Sequence, residues 1–297
     1  MGKAFYDQFQ EAKDVYKSAN RKLGFDVAAL CFEGPQEALV KTETCQPALF
    51  VTALAAFAVF RRVVPKSLTP VAAAGLSLGE LTALAAAEVF SLEDGCYLVK
   101  ARGEAMAQCA ARHPGAMLAV IGLASEAIAA ICRESGAGGA NYNAQDQVVL
   151  SGTADAITKA EALAKAQGAK RAVRLEVAGA FHSPLMQPAA EEFKAVLAHV
   201  PFRGPAFPVV SNVTGKPVQD PEEIRRLLVQ QIVSPVLWEP SMRAIIRAGA
   251  TQFVEFPPAR VLTALLRRID AGVKGLTVAE PRDFDTLTQS PASAQSA

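Results

Sequence analysis

The chain has 297 residues and a formal net charge of +1, with 51% hydrophobic and 20% charged residues. That length supports a sizeable core and more than one subdomain, and the composition excludes a disordered chain. A near-neutral balance speaks against a nucleic-acid partner, which selects a basic surface. The longest apolar stretch, Ala48 to Phe60, contains Thr52 and falls short of the ~20 residues that cross a bilayer. No basic-then-apolar leader opens the chain, so neither membrane nor secretion is expected. The five cysteines, Cys31, Cys45, Cys96, Cys109 and Cys132, lack paired spacing and predict reduced thiols in the cytoplasm. Three histidines are too few for a metal centre, so no metal or cofactor is expected.

In chain order, Ala4 to Lys22 predicts a helix, with Phe5, Phe9, Ala12, Val15 and Tyr16 at helical spacing. Pro35-Gln36-Glu37 opens a short helix. A long core helix is expected from Pro47 to Arg62, apolar all round, with proline in the first turn where its missing N–H costs nothing. Val71-Ala72-Ala73-Ala74 reads as a buried strand ending in glycine, and Leu78 to Ala87 as a helix. Another helix runs from Leu92 to Ala111, with Ser91 as N-cap and Asp94 in its first turn. The texture changes after His113-Pro114-Gly115. Strand 117–121, helix 125–135, strand 147–151, helix 156–167 and strand 172–177 predict a small α+β module inserted into a larger one. Helix 188–198, strand 208–211, more helix, strand 254–256 and helix 259–269 follow. Thr286 to Ala297, rich in Ser, Gln, Ala and Pro, predicts a disordered tail.

Gly75-Leu76-Ser77-Leu78-Gly79 matches G-x-S-x-G between an apolar strand and a helix, the setting of a serine nucleophile on a sharp turn. A Cβ at either glycine is expected to collide with that turn. The Leu78 N–H, at a helix N-terminus, can face a developing oxyanion. Of the three histidines, His199 ends a helix and His113 precedes Pro-Gly. His182 lies in the small-residue loop Gly179-Ala180-Phe181-His182-Ser183-Pro184 and is the favoured base. The acids between Ser77 and His182, such as Asp146, Asp155, Glu161 and Glu176, occupy no distinctive loop. A Ser–His pair oriented by something other than a carboxylate is expected. Arg102, in KARGEAM, could hold a substrate carboxylate in its planar fork or be an ordinary solvated helix residue. Spacing alone leaves that choice open.

These motifs resemble the malonyl-CoA:acyl-carrier-protein transacylases of fatty-acid synthesis and the related acyltransferase domains of polyketide synthases. The matching segments are TCQPALF (44–50), AGLSLGELTAL (74–84), FSLEDGCYLVKARGEAM (90–106), GAML (115–118), NYNAQDQVVLSG (141–152), GAFHSPLM (179–186), VVSNVTGKPV (209–218), QQIVSPVLWEPSM (230–242) and FVEFPPARVLTALLRRI (253–269). The resemblance implies an α/β fold: a hydrolase-like core with a parallel sheet, from 1–112 and 180–285, a ferredoxin-like subdomain over 113–179, and the tail 286–297. It implies that Ser77 accepts the acyl group, His182 is its base, Arg102 pairs with the malonyl carboxylate, and Leu78 N–H is half the oxyanion hole. It places Gln231 where a backbone carbonyl orients the histidine, and Gln46, Met106 and Asn143 in the pocket. Phe181 before His182 resembles malonyl-selective members. Malonyl-CoA and acyl carrier protein are the implied substrate and partner, in a ping-pong cycle, for a free-standing monomer. An acidic carrier calls for a basic rim, for which Arg61, Arg62, Lys66, Arg267 and Arg268 are candidates.

The chain departs from the pattern in three places. Leu76 stands where histidine is common, and Phe256-Pro257-Pro258 where G-P-G is common. Met1-Gly2-Lys3 resembles the stretch just after the family's first strand and G-Q-G-x-Q segment. That segment supplies the second oxyanion donor, whose loss typically costs ~10²–10³ in rate. An upstream start to the reading frame is therefore expected. The competing readings are a serine hydrolase or thioesterase on the same core, and an inactive acyltransferase-like chain.

Overall fold

The computed structural model describes residues 1–288 except 67, 178 and 259. Five helices open the chain: α1 (Lys3–Gln8), α2 (Gln10–Leu23), α3 (Val27–Glu33), α4 (Gln36–Leu39) and α5 (Thr42–Val63). The single helix expected over 4–22 is broken at Phe9, whose extended backbone separates α1 from α2. The long helix begins at Thr42, ahead of Pro47, so the proline lies inside α5 rather than in its first turn. Lys41 O accepts from the N–H groups of Thr44 and Cys45 and starts that extra turn. Among the described residues α5 is the one helix long and apolar enough to cross a membrane, and it lies in the core. Phe50, Val51, Ala55 and Val59 are fully buried on it. Each large apolar side chain so buried stabilises the fold by ~1.5–3 kcal/mol.

Residues 71–74 lead to α6 (Leu78–Ala86), then to α7 (Leu92–Arg112), capped by Ser91 Oγ accepting from Asp94 N–H as expected. Gly103 of α7 faces the start of α5, and a Cβ there would stand 3.0 Å from Glu43 Cα and from Thr42 O. That close approach brings the early α5 residues against the middle of α7.

The inserted segment runs β1 (Ala116–Ile121), α8 (Ser125–Ser135), β2 (Gly138–Ala144), β3 (Gln147–Gly152), α9 (Ala154–Ala166) and β4 (Arg171–Arg174). Its four strands form one antiparallel sheet in the order β2-β3-β1-β4. β2 carries two glycines and no clean apolar alternation, so nothing in its composition announced it. One face of the sheet packs with α8 and α9 into a separate core of Leu118, Val120, Ile131, Leu150 and Ile157. The chain then forms α10 (Gln187–Leu197), β5 (Val209–Val210), β6 (Pro217–Val218), α11 (Pro221–Val233), α12 (Trp238–Arg247), β7 (Gln252–Glu255), α13 (Leu262–Ile269), β8 (Lys274–Thr277) and α14 (Asp285–Thr288). The expected tail is therefore helical at its start, and 289–297 lie outside the described residues.

Among the described residues parallel pairing occurs in three pieces: β7 with β8, a lone bridge between Asn141 and Val236, and another between Ala73 and Val209. The expected strand 71–74 is thus reduced to that bridge. Pro70 and Pro208 have no N–H for a ladder, so pairing begins only at Ala73, which donates to Pro208 O. The short pairing still matters, because it sets the segments that follow, 75–77 and 211–212, side by side.

Candidate active site

Ser77 stands at the junction of that bridge with α6, with φ 53° and ψ −105°, a left-handed backbone rare for a side-chain-bearing residue. Asn212 clamps the turn. Its Oδ1 accepts from Ser77 N–H at 2.7 Å and its Nδ2 donates to Gly75 O at 2.8 Å. A Cβ on Gly75 would lie 2.0 Å from the carbonyl of Gly79, so Gly75 must be glycine. Gly79 meets nothing within 4 Å, and the expectation of a collision there is corrected. The turn is closed from the Gly75 side alone.

The Ser77 hydroxyl lies 2.8 Å from His182 Nε2, and His182 Nδ1 lies 2.8 Å from the backbone carbonyl of Gln231. A carbonyl only accepts, so the proton is on Nδ1 and the Nε2 lone pair faces Ser77. Gln231 and the Ser234 backbone orient the imidazole, and among the described residues no carboxylate does so. His182 is buried, whereas His113 and His199 are exposed. Burial first, and the Arg102 charge second, push its pKa down from 6.5 to about 4. The imidazole is therefore neutral at rest and able to take a proton. His182 also has a positive φ of 58°, the second strained residue of the pair.

Arg102 is 1% exposed. Its Nη2 donates to Ser77 Oγ at 3.0 Å and to Gln231 Oε1 at 2.8 Å, and its Nη1 to Gln46 Oε1 at 2.7 Å. Of the two readings open at the sequence level, the solvated helix arginine is excluded. Burial pulls its pKa from 12.5 down to about 10, against the opposing pull of Glu80, and it stays a cation at neutral pH. Its Nε–H is buried with no partner among the described residues. Met106, one turn along α7, accepts from Gln46 Nε2 through Sδ at 3.7 Å, so Gln46 and Met106 brace the guanidinium.

Leu78 opens α6, where the first N–H groups have no intrahelical acceptor. The Ser77 N–H is held by Asn212, whereas the Leu78 N–H has no acceptor among the described residues. Phe181 is half-buried between the main core and Met117, Ala140 and Val149 on the other face of the small sheet. Asn143 is buried on β2 with Oδ1 unpartnered among the described residues, outside the hydrogen-bonded cluster. Two members went unmarked in the sequence, Asn212 and Glu80. Glu80 is buried, and burial raises its carboxyl from 4.5 to about 7 against the pull of Gln231, the Asn212 N–H, Ser211 and Arg102. Three residues after the nucleophile, it could have been noticed as the acid in the first turn of an otherwise apolar helix.

Of the expected basic rim, Arg61 pairs with Glu88, Arg62 with Glu11 and Arg268 with Asp146, so these three are neutralised locally. Among the described residues no three or more His, Cys, Asp or Glu side chains gather as metal ligands would.

Residues 1–280 match the acyl transferase domain family. The chain is 38% identical over 294 residues to a malonyl CoA-acyl carrier protein transacylase of Bacillus subtilis strain 168, covering 97% of this chain and 92% of that protein. An acyl carrier protein S-malonyltransferase from Vibrio cholerae superposes with a TM-score of 0.93 at 36% identity, covering 97% of this chain and 94% of that one. A malonyl-transacylase solved in complex with its type II PKS acyl-carrier protein superposes with a TM-score of 0.92 at 36% identity, covering 97% and 94%. Ser77, with the buried His182 and Arg102 beside it, sits in a chain that belongs to the malonyl-CoA:acyl-carrier-protein transacylase family of acyl transferases.

Proposed function

We propose that this chain transfers the malonyl group from malonyl-CoA to the phosphopantetheine thiol of acyl carrier protein. The observation that carries this reading is Arg102, a buried cation 3.0 Å from Ser77 Oγ with its Nε–H still open. A water-using esterase for neutral substrates has no need of such a group. A carboxylated acyl chain does, because the guanidinium fork matches it.

In the first half-reaction Ser77 gives its proton to His182 Nε2 and Oγ attacks the thioester carbon. The Leu78 N–H faces the oxyanion. The C–S bond breaks, His182 returns the proton to the departing sulfur, and CoA leaves. In the second half the carrier thiol gives its proton to His182 and attacks the Ser77 ester, and Ser77 Oγ recovers a proton as the acyl group departs. Arg102, braced by Gln46 and Met106, holds the carboxylate throughout, with Asn143 lining the pocket. The bulk of Phe181 disfavours an α-methyl branch. Ser77 and His182 carry the chemistry, so the reading calls for no metal or prosthetic group.

In this reading the main body, 1–112 with 180–285, is a hydrolase-like core. The segment 113–179, with its β-α-β-β-α-β order, is a ferredoxin-like subdomain. The protein works as a cytoplasmic monomer.

The test is intact mass after mixing with malonyl-CoA, with Ser77→Ala alongside. A malonyl adduct absent from Ser77→Ala, stable in buffer and discharged by holo acyl carrier protein, supports the proposal. An adduct lost to water at the same rate with or without the carrier points to a hydrolase. No adduct on the folded protein overturns both.

A further inference from the structure

The hydrogen bonds around the nucleophile turn converge on a carboxylate that touches neither Ser77 Oγ nor His182. Glu80 is 2% exposed in the first turn of α6. Its Oε2 accepts from Gln231 Nε2 at 2.7 Å and from the Asn212 backbone N–H at 3.1 Å. The Ser211 hydroxyl is a further donor to it.

Two of these partners, Gln231 and Asn212, hold the rest of the site. The Gln231 side chain presents Oε1 to Arg102 while its Nε2 also donates to Ser77 O at 2.9 Å. The backbone of the same residue receives His182. An amide turned the other way would set NH₂ against the guanidinium N–H and oxygen against two acceptors. The carboxylate of Glu80 thus selects the one orientation in which Gln231 serves Arg102. On the other side, Asn212 with its N–H anchored keeps both clamps on the Ser77 turn.

We propose that Glu80 is a positioning residue of the transfer reaction, fixing Gln231 and Asn212 and through them Arg102, His182 and the strained turn at Ser77. This rests on the malonyl-transfer reading above. Arg102 on α7 is the charged group that faces Glu80, and His182 shares Gln231 with it. Charge-assisted hydrogen bonds are about twice as strong as neutral ones, so a proton on Glu80 loosens both anchors. Burial brings that protonation to about pH 7.

The experiment follows single-turnover acylation of Ser77 by malonyl-CoA, read by intact mass, across the neutral pH range. It compares the wild-type chain with Glu80→Ala and Glu80→Gln, with a thermal melt of each. Glu80→Ala is expected to acylate ~10²-fold more slowly, the loss set by misplaced reacting groups, with the half-saturating malonyl-CoA concentration changed less. Glu80→Gln, which keeps an acceptor, restores part of the rate. The wild-type rate steps near pH 7, and Glu80→Gln lacks the step. Both variants acylating at the wild-type rate with the wild-type step overturns the inference, as does a lowered melting temperature with unchanged acylation by the folded protein. If neither variant folds, Ser211→Ala takes their place: losing one donor to the carboxylate is expected to move the step to higher pH, and an unmoved step overturns the role. A wild-type protein that forms no adduct overturns the transfer reading itself, whereas indifferent variants beside an active wild type overturn only the role of Glu80.

Discussion

The backbone carbonyl of Gln231 accepts the Nδ1 proton of His182 at 2.8 Å, in the place where many serine enzymes use a carboxylate. A neutral acceptor fixes the tautomer without adding charge. Burial, with the Arg102 charge behind it, outweighs the backbone hydrogen bonds of Gln231 and Ser234 and depresses the imidazole pKa to about 4.

A pH dependence follows. The folded state holds His182 neutral, while the unfolded chain protonates it near the ordinary 6.5. As pH falls from 6.5 toward 4 the unfolded state binds more protons, so the His182 contribution is full above that window and lost through it. Glu80 acts oppositely, its contribution being full below 4.5 and lost as pH rises through about 7. Thermal melts of wild type and His182→Ala against pH separate the two. The difference between them is expected to shrink below pH 6.5, and equal slopes for both proteins would refute the assignment.

In the proposed reading Arg102→Ala removes the cation that holds the acyl carboxylate. It is expected to lower kcat/KM for malonyl-CoA by ~10²–10³-fold, the range seen when one partner of a buried charged pair is truncated. Acetyl-CoA, which has no carboxylate, should lose far less. Arg102→Lys keeps the charge but cannot reach Gln46, Ser77 and Gln231 together, and should fall between the two. Steady-state assays with both thioesters check this, and equal losses on both would refute selection by Arg102.

The two glycines of the nucleophile motif should behave differently. Gly75→Ala forces a Cβ to 2.0 Å from the Gly79 backbone and is expected to cost ~1–3 kcal/mol or more, as overpacking does. Gly79→Ala enters open space in α6 and is expected to be neutral or to stabilise by up to ~1 kcal/mol. Denaturant melts of the two variants decide the matter.

Asn212→Ala releases both clamps on the turn. The left-handed conformation of Ser77 is then unsupported, and acylation is expected to slow by ~10²-fold. Asn212→Asp keeps the acceptor for Ser77 N–H but loses the donor to Gly75 O, and should keep part of the rate. Single-turnover acylation of the folded variants measures it.

Ser77 and His182 were legible because their surroundings are local, a strand-turn-helix and a small-residue loop, whereas spacing left Arg102 open and only the resemblance gave it a role. Gln231 was reachable only through the resemblance, since its contact with His182 spans 49 positions. Glu80 and Asn212 escaped because their meaning lies in hydrogen bonds across 132 to 151 positions, which no periodicity reports. The helices with clear caps, such as α7, fell where expected. Pro47 misled because a proline reads as a start signal even where tertiary packing extends the helix ahead of it. β2 stayed hidden behind its glycines, while the strand expected at 71–74 shrank to one bridge because prolines limit its pairing.

Pro114 and Gly179 pair as an antiparallel bridge, so the inserted sheet and its helices leave the main body and rejoin it at one point. A segment with adjacent ends and its own core behaves as a cassette. It meets the main body through the face against Phe181 and through β2, whose Ala140 and Tyr142 exchange backbone hydrogen bonds with Val236. A substitution inside the small core therefore reaches Ser77, Arg102 and His182 through those two seams.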